Sequence, residues 1–492
     1  MIDHSTLLRR DAYINGAWVA ADSSATLNVY NPATGALVGT VPDMTQSDTR
    51  NAIDAAARAL PLWSALSAKE RGRYLKEWAR LIVANADTIS VILTAEQGKP
   101  LADARNEVIF AASFVEWFAE EGKRTYGEVI PAPGHDMRYL VQKEPVGVCA
   151  GITPWNLPCA MVTRKAAPAL AAGCTMVLKP AEHTPLTALA LAALAEQAGI
   201  PPGVLNIVTA SRANAAFVGT ELATNRAVAK VSFTGSTRVG KHLIAQCADT
   251  VKRTSMELGG NSPFIVMADA DLGVAVAAAM FAKFRNAGQT CIAPNRFFVH
   301  ASVLDEFVAR LQTAIRGLRL GDGAMPGTTL GPLISEEAVA KVQSHVDDAR
   351  SKGAQLLLGG QRTAGAGCFF EPTLLVGVGP DMLMSQDETF GPVVGISVFS
   401  QEEKLLQAVN ATRLGLAAYL FSSSASAIHR VSRKIEAGIV GVNTGMIATE
   451  VAPFGGYKES GIGREGARDG INEFLETKFI CEAFPAGDRE TL

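Results

Sequence analysis

From about residue 145 onward, short apolar runs alternate along the chain with segments whose apolar residues recur at helical spacing. The runs 146–152, 175–179, 204–208 and 230–233 predict buried strands, and 185–198 and 237–246 predict helices between them. Strands that read as continuous apolar runs and are separated by helices point to a parallel, doubly wound sheet covered on both faces. A second series follows the Gly259–Gly260 pair: helix 271–286, strand 296–300, helices 302–316 and 335–352, then strands 415–421 and 438–443. Between about 45 and 120 the pattern is helical, with mixed apolar and charged faces over 48–60 and 68–84. No repeat, low-complexity tract or long linker interrupts the chain, so its domains are expected to pack closely and to bind a ligand in the cleft between them.

Composition narrows this picture. A chain of 492 residues is too long for one core, so two or three domains are expected. With 48% apolar and 19% charged residues it is globular, and a net charge of −3 gives no reason to expect nucleic acid or an anionic membrane as partner. The start, MIDHSTLLRRDAYINGAWV, lacks the apolar core of a secretory signal, and the most apolar segment, 186–195, is too short to span a bilayer. The seven cysteines are scattered without a CxxC pair, which predicts neither a disulfide framework nor a metal site and fits a reducing cytoplasm.

Four motifs can carry chemistry. FTGSTRVG (233–240) follows a strand and opens a helix, so Gly235 and Ser236 are either a phosphate-binding turn or an ordinary glycine turn. LKPAEHTP (178–185) places Lys179 and Glu182 at another strand end; a carboxylate there can accept from ribose hydroxyls, though alone it reads as a solvated loop acid. NAGQTC (286–291) sets Cys291 in a polar, glycine-containing turn. An ordinary thiol is only a few per cent ionised near neutrality, so such a nucleophile needs a base or positive potential nearby. MELGG (256–260) ends an apolar strand on Glu257, either a general base or a hydrogen-bonded interdomain acid. Their conjunction is more informative than any one of them.

Those motifs, with TPWNLP (153–158), ETFGPV (388–393) and PFGGYKESGIGREG (453–466), occur in an order that resembles the aldehyde dehydrogenase superfamily from about Tyr13 to the C-terminus. TRKAAPALAAGCTMVLKP, KFRNAGQTC and VAPFGGYKESGIGREG are most similar to the succinate-semialdehyde dehydrogenase branch. The resemblance implies a Rossmann-type NAD-binding domain (1–127 and 147–257), a second α/β catalytic domain (258–457), and a β oligomerisation arm with the C-terminal segment (128–146 and 458–492). It implies Cys291 as nucleophile, Asn156 with the Cys291 amide as oxyanion hole, and Glu257 as the base that activates water. For the cofactor it implies Thr153, Pro154, Trp155, Lys179, Glu182, Gly235 and Ser236 at the adenosine and pyrophosphate, and Glu388 and Phe390 at the nicotinamide end. Glu182 favours NAD; Lys179 leaves NADP open.

In that branch two arginines hold the distal carboxylate of the substrate, and Arg164 and Arg285 match them, with Thr449 and Phe454 nearby. Either arginine alone could equally pair with a structural acid. One departure bears on specificity: Ala448 stands where the branch carries a serine, which removes a hydrogen-bond donor and opens the choice to glutarate semialdehyde, sulfolactaldehyde or a broader set of aldehydes. A second is Ala293, in place of the cysteine that gives some relatives a redox switch. Two other activities compete, a cysteine-dependent thioesterase and a CoA-acylating dehydrogenase; the retained cofactor set speaks against the first and Glu257 against the second. Exposed strand edges in the arm predict a homodimer or homotetramer.

Overall fold

A computed structural model describes residues 7–484; residues 1–6 and 485–492, the outer ends of the first and last expected segments, lie outside it. Two large sheets organise the chain. At the centre of the first, five strands run parallel in the order Leu205–Ile207, Thr175–Lys179, Val148–Ile152, Val228–Thr234, Arg253–Glu257. The order reverses between Val148–Ile152 and Val228–Thr234, so a crevice opens beyond the carboxyl ends of those two strands. The residues that follow them are Thr153–Asn156 and Gly235–Ser236. Topology alone therefore brings two of the motifs together.

The second sheet contains Pro263–Val266, Arg296–His300, Thr373–Val376, Val393–Phe399, Ala417–Phe421 and Ile439–Val442, all parallel, with Gln355–Leu358 antiparallel at one edge. A separate three-stranded antiparallel sheet joins Glu128–Ile130, Met137–Pro145 and Leu475–Ala483, the last two paired along their whole length. Gly461–Ile462 returns to pair antiparallel with Met256 and Glu257 at the edge of the first sheet.

Four helices, Gln46–Ala65, Ala68–Ala84, Ala86–Gln97 and Leu101–Glu121, contribute to one core with Ala160–Ala172 and Pro185–Gln197. Their starts are locally encoded where a cap exists: Ser67 and Glu70 form a reciprocal capping box on the second. In Ala160–Ala172 every side chain is buried, so it shows no polar stripe. Among the described residues no single helix is long and apolar enough to cross a membrane.

Candidate active site

The turn that presents Cys291 is built from three consecutive left-handed residues. Asn286, Ala287 and Gly288 have φ of 52°, 54° and 73°. A left-handed conformation costs a non-glycine residue about 1–2 kcal/mol, so the turn must be held from outside. Gln97 Nε2 donates to Asn286 Oδ1 at 2.9 Å, and Asn286 Nδ2 donates to the carbonyl of Asn156 at 2.9 Å. Fully buried Gln289 donates to the carbonyls of Asn286 and Pro332 and accepts from the Ile334 amide at 2.9 Å. On the far side, Tyr419 Oη donates to the carbonyl of Ile292 at 2.8 Å.

Asn156 is tied to the same turn. Its Nδ2 donates to the carbonyl of Gln289 at 3.0 Å, which leaves one N–H of the amide unused among the described residues, and its own carbonyl also accepts from Lys99 Nζ at 2.8 Å. Lys99 is ion-paired with Glu107 in full burial, and Glu107 Oε1 accepts from the amides of Cys159 and Ala160 at the start of helix Ala160–Ala172. Lys99 and Glu107 therefore fix the Asn156 backbone and the helix that carries Arg164. The sequence offered no signal for either.

Glu257 ends its strand with a carboxyl that is 3% exposed and, among the described residues, has no hydrogen-bond partner on either oxygen. Burial pushes it well above the usual carboxylate range, Glu465 adds to that, and Arg164 and Lys165 oppose it. At Gly260, three residues on, a Cβ would lie 2.2 Å from the carbonyl oxygen of Cys291, so the two motifs touch through backbone alone. Burial also pushes the Cys291 thiol up to about 12, with Glu388 and Glu257 raising it and Arg164 lowering it. A thiol that protonated attacks only once a proton is removed.

Arg164 is 3% exposed, lies 3.1 Å from Glu465 Oε2, and sits 4.1 Å over the ring of Phe454. Glu465 is held also by Lys165 Nζ at 2.6 Å; burial pushes its carboxyl up, but Lys165 and Arg164 outweigh that and keep it low. Arg285 is half-buried over Phe281 and lines a cavity of about 560 Å³ with Phe110, Met446 and Ala448. Phe110 and Phe114, in edge contact at 4.9 Å, connect that cavity to the Arg164 side, because Arg164 also lies over Phe114. Thr449 points its hydroxyl to Glu450 at 3.1 Å.

The residues expected at the cofactor lie along the carboxyl edge of the first sheet and the facing segment 388–390. Thr153 donates its amide to the carbonyl of Lys179 at 3.1 Å, half-buried Pro154 follows, and Trp155 meets Phe390 edge-on at 5.5 Å. Phe390 has a left-handed φ of 56°. Lys179 is buried with Nζ donating to the Pro180 carbonyl at 3.0 Å, and burial pushes its ammonium down. Gly235 donates its amide to the Glu257 carbonyl at 3.0 Å, and Ser236 caps helix Thr237–Cys247. Glu388 accepts from the Gly260 amide at 3.3 Å, and burial raises its carboxyl to about 7 against the pull of Lys341. Lys283, which sequence analysis passed over, is fully buried below it; burial takes its ammonium down to about 7, opposed by Glu388.

This edge fits a dinucleotide. At Gly259 a Cβ would meet Glu388 Oε2 and Thr237 Oγ1, both at 3.5 Å, so glycine keeps open a floor flanked by polar groups. The first-turn amides of helix Thr237–Cys247 lie at the same crevice. A roomier groove of about 950 Å³ beside Arg296 lies away from these groups and contains none of them.

Comparison with known proteins agrees with this fold. A profile of the aldehyde dehydrogenase family matches residues 18–480. The glutarate-semialdehyde dehydrogenase of Pseudomonas aeruginosa is 53% identical over 475 residues, 96% of this chain and 98% of that protein. The NADP(+) succinate-semialdehyde dehydrogenase of Escherichia coli is 53% identical over 480 residues, 98% of this chain and 99% of the relative. The crystal structure of an aldehyde dehydrogenase from Brucella melitensis biovar abortus superposes with a TM-score of 0.96 at 54% identity, covering 98% of this chain and 99% of the other.

Proposed function

The chain belongs to the aldehyde dehydrogenase family, and we propose that it oxidises a small anionic aldehyde, succinate semialdehyde or a close analogue, to its acid. The observation that carries the substrate reading is the placement of Arg285 in a cavity whose aromatic wall leads to Arg164 and the thiol. Guanidinium groups bind a planar anion through paired hydrogen bonds, and anchoring the far end aims the aldehyde carbon at Cys291.

Cys291 attacks that carbon through Sγ after losing its proton. The charge that develops on the former carbonyl oxygen is met by the unused N–H of Asn156 and the amide of Cys291, donors already fixed by the Lys99, Asn286 and Gln289 contacts. When bound, a nicotinamide dinucleotide would supply the two-electron oxidant that takes the tetrahedral adduct to a thioester held on Cys291 Sγ. Glu257 then takes a proton from water, whose oxygen attacks the thioester carbon and releases the acid and the thiol. A carboxylate raised by burial is a stronger base than an ordinary one, which suits this step. Lys179, Glu182, Gly235 and Ser236 would hold the adenosine and pyrophosphate, Thr153, Pro154 and Trp155 the adjoining wall, and Glu388 and Phe390 the nicotinamide end. Glu182 makes NAD the preferred cofactor. The domains follow the limits set out from the sequence.

The arm presents exposed Val129, Ile130 and Phe479, which a second copy would cover, giving a homodimer or homotetramer. Seven free thiols suit a reducing cytoplasm.

The test is a panel of purified-enzyme assays following NADH and NADPH with succinate semialdehyde, glutarate semialdehyde, sulfolactaldehyde and neutral aldehydes of matched length. Preference for the anions, weakened selectively by Arg285→Ala, supports the reading and ranks the substrates; equal turnover of neutral aldehydes removes it. Glutarate semialdehyde is the second reading, because Ala448 leaves the Arg285 cavity wider than a serine would.

A further inference from the structure

Asn295, four residues after Cys291 and directly before strand Arg296–His300, is 2% exposed and commits both polar atoms of its side chain to its neighbours. Its Nδ2 donates to the carbonyls of Met384 at 2.7 Å and Asp387 at 3.0 Å and to Asn261 Oδ1 at 2.9 Å, while its Oδ1 accepts from the amide of Thr389 at 3.1 Å. Backbone carbonyls only accept and a backbone amide only donates, so these partners fix which way the side-chain amide faces. Asn261 Nδ2 in turn donates to the carbonyl of Ser385 at 3.0 Å. One buried side chain thus grips the main chain immediately before and immediately after Glu388.

The Glu388 carboxylate has one hydrogen bond of its own among the described residues, from the Gly260 amide at 3.3 Å, too long to fix it, so its place follows from the backbone that carries it. Ser385, Gln386 and Asp387 border the groove of about 950 Å³ beside Arg296, so part of that backbone has open space behind it and not packed side chains. The same stretch reaches the turn before Cys291, where a Cβ at Gly288 would lie 2.2 Å from the carbonyl oxygen of Gly391. We propose that Asn295 is a positioning residue: by holding the main chain on both sides of Glu388 it fixes that carboxylate relative to Cys291, and so sets where the nicotinamide end of the cofactor sits against the thiol. This rests on the reading that places the nicotinamide end at Glu388 and Phe390. Without Asn295, two carbonyls and an amide lose a buried partner, and the segment relieves this by shifting toward the groove.

Nucleotide binding to the full-length protein, followed calorimetrically without aldehyde, tests this. NAD spans the whole site, whereas 5′-AMP occupies only its adenosine end. Glu388→Ala is expected to weaken NAD about tenfold, the effect of losing one charge-assisted contact, and to leave AMP within about twofold. Asn295→Ala should do the same. The double variant should bind NAD within about twofold of Glu388→Ala alone, because Asn295 acts only through that carboxylate. A merely structural residue would weaken both ligands, or give losses that multiply to about a hundredfold in the double variant. Either result overturns the proposal, as does an Asn295→Ala variant that binds NAD as the parent does. Should Asn295→Ala not fold, Asn261→Ala, which removes the donor to Ser385 and one partner of Asn295, should weaken NAD alone by about threefold; no loss, or an equal loss of AMP, overturns the proposal. Glu388→Ala separates the two levels: if it binds NAD as the parent does, the placement of the nicotinamide end itself is wrong, whatever Asn295 does.

Discussion

Replacing Gly288 by alanine measures how tightly the turn before Cys291, the proposed nucleophile, is specified. Gly288 has φ of +73°, and a Cβ there would lie 2.2 Å from the carbonyl oxygen of Gly391 and 3.0 Å from that of Lys283. A carbon and a carbonyl oxygen in ordinary contact stand about 3.3 Å apart, so one of the two backbones must give way by roughly 1 Å. The left-handed conformation adds about 1–2 kcal/mol for alanine, in a turn where Asn286 and Ala287 already carry the same penalty. Cys291 lies three residues further on, and a displacement of about 1 Å at a reacting group lowers a rate on the order of 100-fold. The assay is NADH formation at saturating aldehyde and NAD, with the thermal midpoint measured in parallel to separate a misplaced thiol from an unfolded chain. A folded variant with kcat down about 100-fold is expected. A kcat within threefold of the parent would mean that the turn does not set the position of the nucleophile.

Two further outcomes follow from the charges around the site. With the thiol pushed up to about 12, its ionised fraction grows tenfold per pH unit below that value, so alkylation of Cys291 by iodoacetamide in the cofactor-free protein should climb about tenfold per unit from pH 7 to 10. The adduct is counted by peptide mass spectrometry, because Cys481 is exposed and reacts as well; a plateau below pH 9 contradicts the burial argument. Glu107→Gln leaves Lys99, whose side chain is 1% exposed, without its counter-charge, and should cost about 3–5 kcal/mol, read as a lower urea midpoint; an unchanged midpoint would show that the pair does not hold this region together.

The strand–helix alternation was legible because parallel strands buried on both faces read as unbroken apolar runs. Strand 175–179 and helix 68–84 come out with the bounds the sequence predicts, and 185–198 ends one residue early. The strands Ala12–Ile14 and Ala17–Val19 escaped notice, since three residues are too few to show a period. Helix Ala160–Ala172 escaped for the opposite reason: every position is buried, so it has no polar face to mark, and Lys165 and Pro168 interrupt its apolar run. At the site, Cys291, Asn156 and Glu257 stood out through their glycine-rich turns and the resemblance. The residues that hold them did not. Lys165 meets Glu465 across 300 positions of sequence, and Gln97 meets Asn286 across 189, so only the folded chain brings such pairs together.

Arg164 shows why the two sequence readings of a buried arginine need not exclude each other. It does pair with a structural acid, Glu465 at 3.1 Å, yet neither Nε nor Nη2 completes a directed hydrogen bond among the described residues. Proximity without direction leaves donors of the guanidinium available, and a guanidinium carries five N–H groups against the single carboxylate oxygen that approaches it. Glu465 for its part does not depend on Arg164, because Lys165 already meets its other oxygen at 2.6 Å. The ion pair therefore keeps a cation desolvated and ready between Glu257, Cys291 and the Phe454 ring, at the place where a substrate anion would otherwise have to recruit one from water. Under the proposed function, Arg285 brings selectivity from a half-buried position that a substrate can reach, and Arg164 brings a fixed positive field that lowers both the thiol and the base. Arg285→Ala is for that reason the cleaner probe of substrate choice, while a change at Arg164 moves the chemistry and the substrate contact at once.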